Sequence, residues 1–452
     1  MAFYRKIYKT LEKWQKATKK QALCIVGARQ IGKTTAILNF GKSHFKNVVY
    51  LNFVEDPKAK LIFDGNLDAN TIITQLTAYI NRPMKPGETL VFLDEIQDCP
   101  NARTAIKFLV QDGRFAYIES GSLLGTRLLQ VKSYPVGFEQ IVNMYPMDFE
   151  EFCLANGVQQ EVLDKLQECF EKELELTPVF LETFKKLFYT YIVVGGMPNV
   201  VDTYLKTHDI GKVIVAQKDI INLYRMDISK YSTRIESLKI QNIFDSIPSE
   251  LNKQNRRFIV TNIEKNARLL RYENCFQWLS DAGVALPCYN VSEPQAPLLL
   301  NQKHSLFKLF MGDIGLLCAF CLENVQFDIL QGNVDINMGS ILENVIAQEL
   351  KCHGFKLHFY DSKKFGELDF VVQEGGKVHL IEAKSGSDYT SHKSLDKVLQ
   401  VKDWNFGRTI VLCNGNVSRN GNILYLPWFM VMFLKPWEPE SFIYKVDLEG
   451  LK

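Results

Sequence analysis

Short apolar runs at residues 22–26, 48–53, 89–93, 115–118 and 140–145 alternate with stretches of helical spacing. Strands that are apolar along nearly their whole length and separated by helices predict a parallel sheet covered on both faces. Ahead of them Phe3, Ile7, Leu11 and Trp14 recur about every four residues, the spacing of an amphipathic helix. Its lysines belong in water and its apolar stripe on the domain that follows. After Pro146 the pattern changes. Residues 148–205 read as a small helical lid, at first acidic with Glu161, Asp164, Glu168, Glu171, Glu173 and Glu175. Residues 210–330 read as mostly helical, with a short strand near 307–310 and a helix over 272–283. Past Gly339 an amphipathic helix at 341–352 sets Leu342, Val345, Ile346 and Leu350 on one face. Strands at 356–360, 367–373 and 377–383 follow, the last two joined across Glu374-Gly375-Gly376, a hairpin signal. A helix near 394–401 and a strand at 408–413 complete an α-β-β-β-α-β order. These changes divide the chain into segments 1–146, 147–210, 211–335 and 336–452.

Composition narrows the class. At 452 residues, 46% hydrophobic and 23% charged, the chain can bury real cores, which excludes disorder, a collagen-like fibre and a disulfide-stapled miniprotein. Lys and Arg number 53 against 51 Asp and Glu, a net charge of +2, so any nucleic-acid contact must come from local patches. Two such patches exist. The first 20 residues hold seven Lys and Arg against one Glu, and residues 253–271 hold six against one. The second patch fits a winged helix-turn-helix in which Arg256, Arg257, Lys265, Arg268 and Arg271 meet phosphates. A solvated basic face on a helical connector accounts for it equally well. Ten cysteines are too sparse for a disulfide framework and suit thiols in a reducing compartment. No signal-peptide core is present, and the longest apolar stretches, such as 426–434, fall far short of the ~18 residues of a membrane span. The expectation is a cytoplasmic protein with no membrane partner. The lone Cys318-Ala319-Phe320-Cys321 lies in an apolar run and reads as core helix, and Trp404 and Trp428 read as core.

Candidate chemistry begins at Gly27-Ala28-Arg29-Gln30-Ile31-Gly32-Lys33-Thr34, with Thr35 next. It matches G-x-x-x-x-G-K-[ST] at every fixed position, with an apolar strand before it and a helical stretch after. Glycines allow a tight turn whose N–H groups wrap a phosphate, and the helix N-terminus adds its positive dipole end. Lys33 supplies a point charge for the β- and γ-phosphates, and the Thr34 hydroxyl can ligate Mg²⁺. The run 89–93 ends in Asp94-Glu95. Asp94 can hold Mg²⁺ through its waters, and Glu95 can accept a proton from an attacking water. Ser120 and Ser122 follow the next strand; either could sense the γ-phosphate, or both could belong to a Gly-Ser turn.

The runs GARQIGKTT, LVFLDEIQD, SGSLLG and MYPMDFEEF resemble the AAA-type ATPase domain of a widespread group of prokaryotic proteins. In that group the domain is fused to a C-terminal region, often of undefined function, that resembles a PD-(D/E)XK nuclease. Tyr191-Ile192-Val193-Val194-Gly195-Gly196-Met197-Pro198 and Gly312-Asp313-Ile314-Gly315 also look like that family. The resemblance covers nearly the whole chain. It implies an α/β fold, namely a P-loop NTPase parallel sheet with a helical lid, a central winged-helix-like segment and a C-terminal restriction-endonuclease-like segment. It also implies ATP and Mg²⁺ as cofactors and, by analogy alone, a homo-oligomer. One departure is Phe138 after Gly137, where the family often has a basic residue. No arginine finger is assigned among Arg103, Arg114, Arg127 and Arg225.

The C-terminal segment carries its own constellation. Glu382 and Lys384, two apart on a strand, share a face, and the hairpin brings Asp369 beside them. Two carboxylates and a lysine can bind Mg²⁺ or Mn²⁺ and steady the charge that develops as a phosphodiester is cut. The arrangement is similar to the PD-(D/E)XK core. The resemblance implies Asp369 and Glu382 as metal ligands, Lys384 as the group polarising water or phosphate, and Glu343 as an auxiliary acid and metal ligand. Glu367 could substitute for one ligand. The expected function is an ATPase coupled to a nuclease-like domain acting on DNA. The alternative is an ATP-gated switch whose C-terminal fold is inactive and binds partners, its carboxylates serving as surface ion pairs.

Overall fold

The computed structural model describes residues 3–18, 20–121, 135–231, 234–253, 256–265, 267–321, 325–332, 338–386, 388–436 and 443–446. Strands β1 (Ala22–Val26), β2 (Asn47–Asn52), β3 (Thr89–Asp94), β4 (Ala116–Gly121) and β5 (Glu139–Asn143) fall on the five apolar runs. They pair in parallel in the order β2-β3-β4-β1-β5. Helices α1 (Ile7–Lys16), α2 (Lys33–His44), α3 (Ala69–Ile80) and α4 (Pro100–Asp112) cover the sheet. Alternation along a strand explains the two layers. Leu23 and Ile25 of β1 join α1 and α2 in one core, while Ala22 and Cys24 join α3 and α4 in the other. Ile7, Leu11 and Trp14 of α1 are buried, as the four-residue spacing predicts, each stabilising the domain by about 1.5–3 kcal/mol. The Asp68 side chain caps α3 by accepting the Thr71 N–H at 3.0 Å, and Pro100 opens α4 where its missing N–H is not needed.

Beyond the sheet come α5 (Phe149–Ala155), α6 (Gln160–Glu171), α7 (Pro178–Val194), α8 (Pro198–Thr207), α9 (Ile210–Tyr231), α10 (Arg234–Leu251) and α11 (Glu273–Asp281). Strands β6 (Ala285–Val291) and β7 (Gln302–Met311) form an antiparallel hairpin. The short strand expected near 307–310 is thus the end of a 10-residue one. Its partner β6 escapes the sequence pattern because Pro287 interrupts it. Helices α12 (Ile314–Cys321), α13 (Val325–Leu330) and α14 (Met338–Cys352) lead into β8 (His358–Ser362), β9 (Gly366–Leu368), β10 (Phe370–Glu374) and β11 (Lys377–Ala383). Then come α15 (Lys393–Leu399), β12 (Phe406–Cys413), β13 (Ser418–Asn420) and β14 (Ile423–Pro427).

Two departures from the sequence reading matter. The strand expected over 367–373 breaks at Asp369: β9 pairs with β8, whereas β10 pairs with β11 in a sheet ordered β10-β11-β12-β14-β13. And β8 does not join that sheet. It pairs in parallel with β6, giving a second sheet, β7-β6-β8-β9, that crosses the expected 335/336 boundary. Pro287 is tolerated because β8 reaches β6 only from Tyr289 onward.

The glycine motifs of the lid and of α12 dock on each other. Asp313 accepts the Gly196 N–H at 2.7 Å and the Leu316 N–H at 3.0 Å. A Cβ on Gly195 would strike Asp313 and the Gly315 backbone, and one on Gly315 would strike the Val194 carbonyl, so both positions must be glycine. Among the described residues no helix is long and apolar enough to cross a membrane.

Candidate functional site

The phosphate loop leaves β1 at Val26 and turns against β5, where the Met144 N–H donates to the Val26 carbonyl at 2.8 Å. A Cβ on Gly27 would overlap the Met144 carbonyl, and Gly32 sits at φ 87 immediately before α2, so both motif glycines have a geometric reason. Lys33 is buried, and its ammonium donates to the carbonyls of Gly27 at 2.9 Å and Ala28 at 2.8 Å, spanning the mouth of the loop. Burial lowers its pKa from 10.5 to about 8, against the opposing pull of Glu95 and Asp94. Thr35, next on α2, is exposed.

Asp94 ends β3, and the strand register sets it level with Ser120 on β4. Its Oδ2 accepts from the Thr34 hydroxyl at 2.8 Å and the Tyr50 hydroxyl at 3.1 Å, and its Oδ1 accepts from the Ser120 hydroxyl. The loop hydroxyl, the strand carboxylate and the polar residue of the intervening strand therefore meet at one point. Glu95 adopts a left-handed conformation at φ 54, a strained state for a non-glycine residue, and its Oε2 accepts from the Gln97 amide. Ser122 and Arg127 lie outside the described residues.

Sequence reasoning missed the residues that grip this loop from elsewhere. Arg5 donates to the Ile31 carbonyl at 2.8 Å and the Tyr145 carbonyl at 2.6 Å, and pairs with Glu151 of α5 at 3.0 Å. Arg29 pairs with Asp227 of α9 at 2.6 Å, and the Tyr224 hydroxyl donates to the Arg29 carbonyl at 3.1 Å. Gly283 packs so closely on Ala28 that a Cβ there would lie 3.0 Å from its backbone nitrogen. Of the arginines left open, Arg103 is buried and donates to Glu139 at 2.9 Å, Arg114 pairs with Asp112 at 2.6 Å, and Arg225 pairs with Asp245 at 2.9 Å.

The lid also meets the C-terminal helix α14. Glu349 accepts the Phe149 N–H at 2.9 Å, and Gln348 donates to the Tyr191 hydroxyl at 2.9 Å while accepting the Ile314 N–H at 2.7 Å. Burial, then the charge of Asp148, pushes Glu349 up to about 8.

At the second constellation Asp369 sits at the break between β9 and β10, where its Oδ2 accepts the Ala383 N–H at 2.8 Å. Lys384 donates to Glu382 Oε1 at 3.1 Å, while Glu382 Oε2 is buried and has no hydrogen-bond partner among the described residues. Burial, then the Asp369 charge, raises Glu382 to about 8. The indole N–H of Trp428, a core residue as expected, donates to the Lys384 carbonyl at 2.9 Å. Glu343 is placed differently from its expected role beside this pair. It is buried, accepts from Lys308 at 3.0 Å and pairs with Arg256. Lys308 reaches Glu367 as well, at 2.5 Å. Among the described residues Glu343, Asp369 and Glu382 do not bring ligand atoms within 4.8 Å of one another as a set. In the basic patch Arg256 and Arg257 are committed to Glu343 and Asp361, whereas Lys265, Arg268 and Arg271 are exposed.

A family model described as an AAA domain matches residues 19–153. Two models described as domains of unknown function match residues 185–326 (DUF8612) and 338–429 (DUF4143). No curated protein matches the chain. Among solved structures, the Aeropyrum pernix ORC1 protein in complex with DNA is 10% identical, with a TM-score of 0.28 over 71% of this chain and 92% of that one. The Thermotoga maritima RuvB Holliday junction branch migration motor is 12% identical, with a TM-score of 0.29 over 63% and 89%. Cdc6p from Pyrobaculum aerophilum is 12% identical, with a TM-score of 0.26 over 72% and 92%. These likenesses are distant. Residues 19–153 thus match an AAA domain model, and their loop geometry and parallel sheet are those of a P-loop fold.

Proposed function

We propose that the chain binds ATP with Mg²⁺ at residues 27–35 and hydrolyses it, passing the nucleotide state to the segments that grip the loop. The observation that carries this reading is the 2.8 Å contact of the Thr34 hydroxyl with Asp94, beneath a lysine that spans the loop mouth. These donors fit Mg²⁺, which when bound would neutralise phosphate charge and be held by Thr34 and by Asp94 through water. Loop N–H groups and the start of α2 orient the phosphates, and Lys33 turns its ammonium to them. Glu95 takes the proton of the attacking water, and Gln97 holds that carboxylate in its strained position. Ser120 keeps Asp94 turned toward Thr34. Arg5, Arg29 and Gly283 connect loop movement to α5, α9 and the β6–β7 hairpin, and Glu349 carries it on to α14.

The test is nucleotide binding and turnover by the full chain. Lys33→Ala should abolish binding, whereas Glu95→Gln should keep binding and slow hydrolysis by about 10²–10⁴-fold. Normal turnover by Glu95→Gln would show that another group is the base.

The buried, unpartnered Oε2 of Glu382 favours a second activity, Mg²⁺- or Mn²⁺-dependent cleavage of DNA at Asp369, Glu382 and Lys384. Plasmid nicking that requires metal and disappears in Lys384→Ala would support it. Without such nicking, the chain is an ATP-gated switch whose C-terminal segment binds partners.

A further inference from the structure

The back of the AAA sheet holds a cluster with no part in the chemistry above. Glu119 of β4, Cys24 of β1 and Glu139 of β5 stand on three neighbouring strands, one residue each. Their ligand atoms all lie within 4.8 Å of one another. Cys24 and Glu119 are directly opposed in the register and both are fully buried. A buried carboxylate with nothing to neutralise it costs several kcal/mol, so its partners need accounting for. Glu139 Oε2 accepts from Arg103 at 2.9 Å. Among the described residues no donor outside the cluster reaches either oxygen of Glu119, at 0% exposure, or Oε1 of Glu139.

We propose that Cys24, Glu119 and Glu139 form a closed structural site for a borderline-soft divalent cation, Zn²⁺ by its donor set. The thiolate argues against Mg²⁺ and Ca²⁺, which take oxygen alone. Cys24 Sγ and one carboxylate oxygen each from Glu119 and Glu139 supply three donors of the kinds Zn²⁺ takes, and the second oxygen of Glu119 can add a fourth. Charge closes as well: a thiolate and two carboxylates beside the Arg103 guanidinium leave two negative charges, which one divalent ion cancels. Arg103, which donates to Glu139, also lines a cavity of about 330 Å³ beside Gly27 and Ala28. The ion would clamp β1, which feeds the phosphate loop, to β4, whose next residue is Ser120. The rival arrangement holds protons instead, with the Glu119 carboxylic acid and the Cys24 thiol both donating to Glu139.

The decisive experiment is the metal content of the full-length protein, purified without chelator from zinc-supplemented cells, and its Co²⁺-reconstituted spectrum. About one Zn²⁺ per chain is expected, with a thiolate-to-cobalt charge-transfer band. Glu119→Gln and Cys24→Ser should each lose the metal, and Cys24→Ser the band. Asp369→Asn should keep both, which separates this site from the C-terminal carboxylates. Wild-type protein with no stoichiometric metal and no melting shift on adding Zn²⁺ would overturn the proposal, whatever the variants do. So would a Glu119→Gln protein as stable as wild type with unchanged metal content, since the amide can replace the protonated acid as donor to Glu139.

Discussion

On the proposed function, Lys33 sets the pH range over which the loop accepts a triphosphate. Burial lowers its pKa from 10.5 to about 8, and a polyanion in the loop favours the ammonium again. Below that value Lys33 is already charged and binding takes up no proton. Above it, binding must draw one from solution, so affinity falls as pH rises, by up to about tenfold per pH unit. If bound phosphate restores the ordinary 10.5, the difference is worth ~3 kcal/mol, a loss that saturates at ~300-fold. Between about pH 7.5 and about pH 9.5 the dissociation constant should rise about 20-fold. The sign for folding is opposite. Across the same range the unfolded chain holds a proton that the nucleotide-free fold has lost, so the free protein gains stability as affinity declines. A fluorescent ATP analogue titrated into the full chain with Mg²⁺ at constant ionic strength measures the first effect. Calorimetry in buffers of different ionisation enthalpy should count close to one proton taken up near about pH 9. A dissociation constant that stays flat over this range would refute the reasoning, because Lys33 would then not be the charge that phosphate meets.

Other outcomes follow from single contacts. Gly27→Ala forces a Cβ into the Met144 carbonyl at a backbone angle that side chains avoid, so nucleotide binding should vanish; retained affinity would mean that the loop relaxes away from β5. Arg5→Ala leaves Glu151 buried without its guanidinium and two carbonyls without donors, and should lower stability to urea by ~3–5 kcal/mol. A loss below ~1 kcal/mol would show that water replaces Arg5. Asp313→Asn turns an amide N–H toward one of the two backbone N–H groups that the carboxylate now accepts, and should cost ~1–3 kcal/mol in thermal or chemical denaturation. An unchanged midpoint would remove Asp313 as the link between lid and α12.

What could be read from the sequence was whatever is local along it. The phosphate loop, its flanking strand and helix, and the Asp94-Glu95 strand end are contiguous runs whose residues specify their own geometry. The grip on that loop is not local: Arg5 and Glu151 are 146 residues apart, and Arg29 and Asp227 are 198 apart. Only the local positive charge around Arg5 hinted at the first. Glu343 fits a metal-ligand role by position, but Lys308 claims it, and a lysine inside the apolar run of β7 was the available signal, since a buried ammonium must find carboxylates. Glu119 in the apolar run of β4 gave a similar hint. The break at Asp369 could not be read, because it depends on which sheet each half-strand joins.

That β8 lies beside β6 has a practical meaning for anyone who would take the molecule apart. The middle and tail portions are stitched together by peptide hydrogen bonds, so they cannot swing like beads on a tether. A scissile cut or gene truncation near 335 would rip a seam, leaving a raw strand margin on each fragment and a tendency to clump with itself or with strangers.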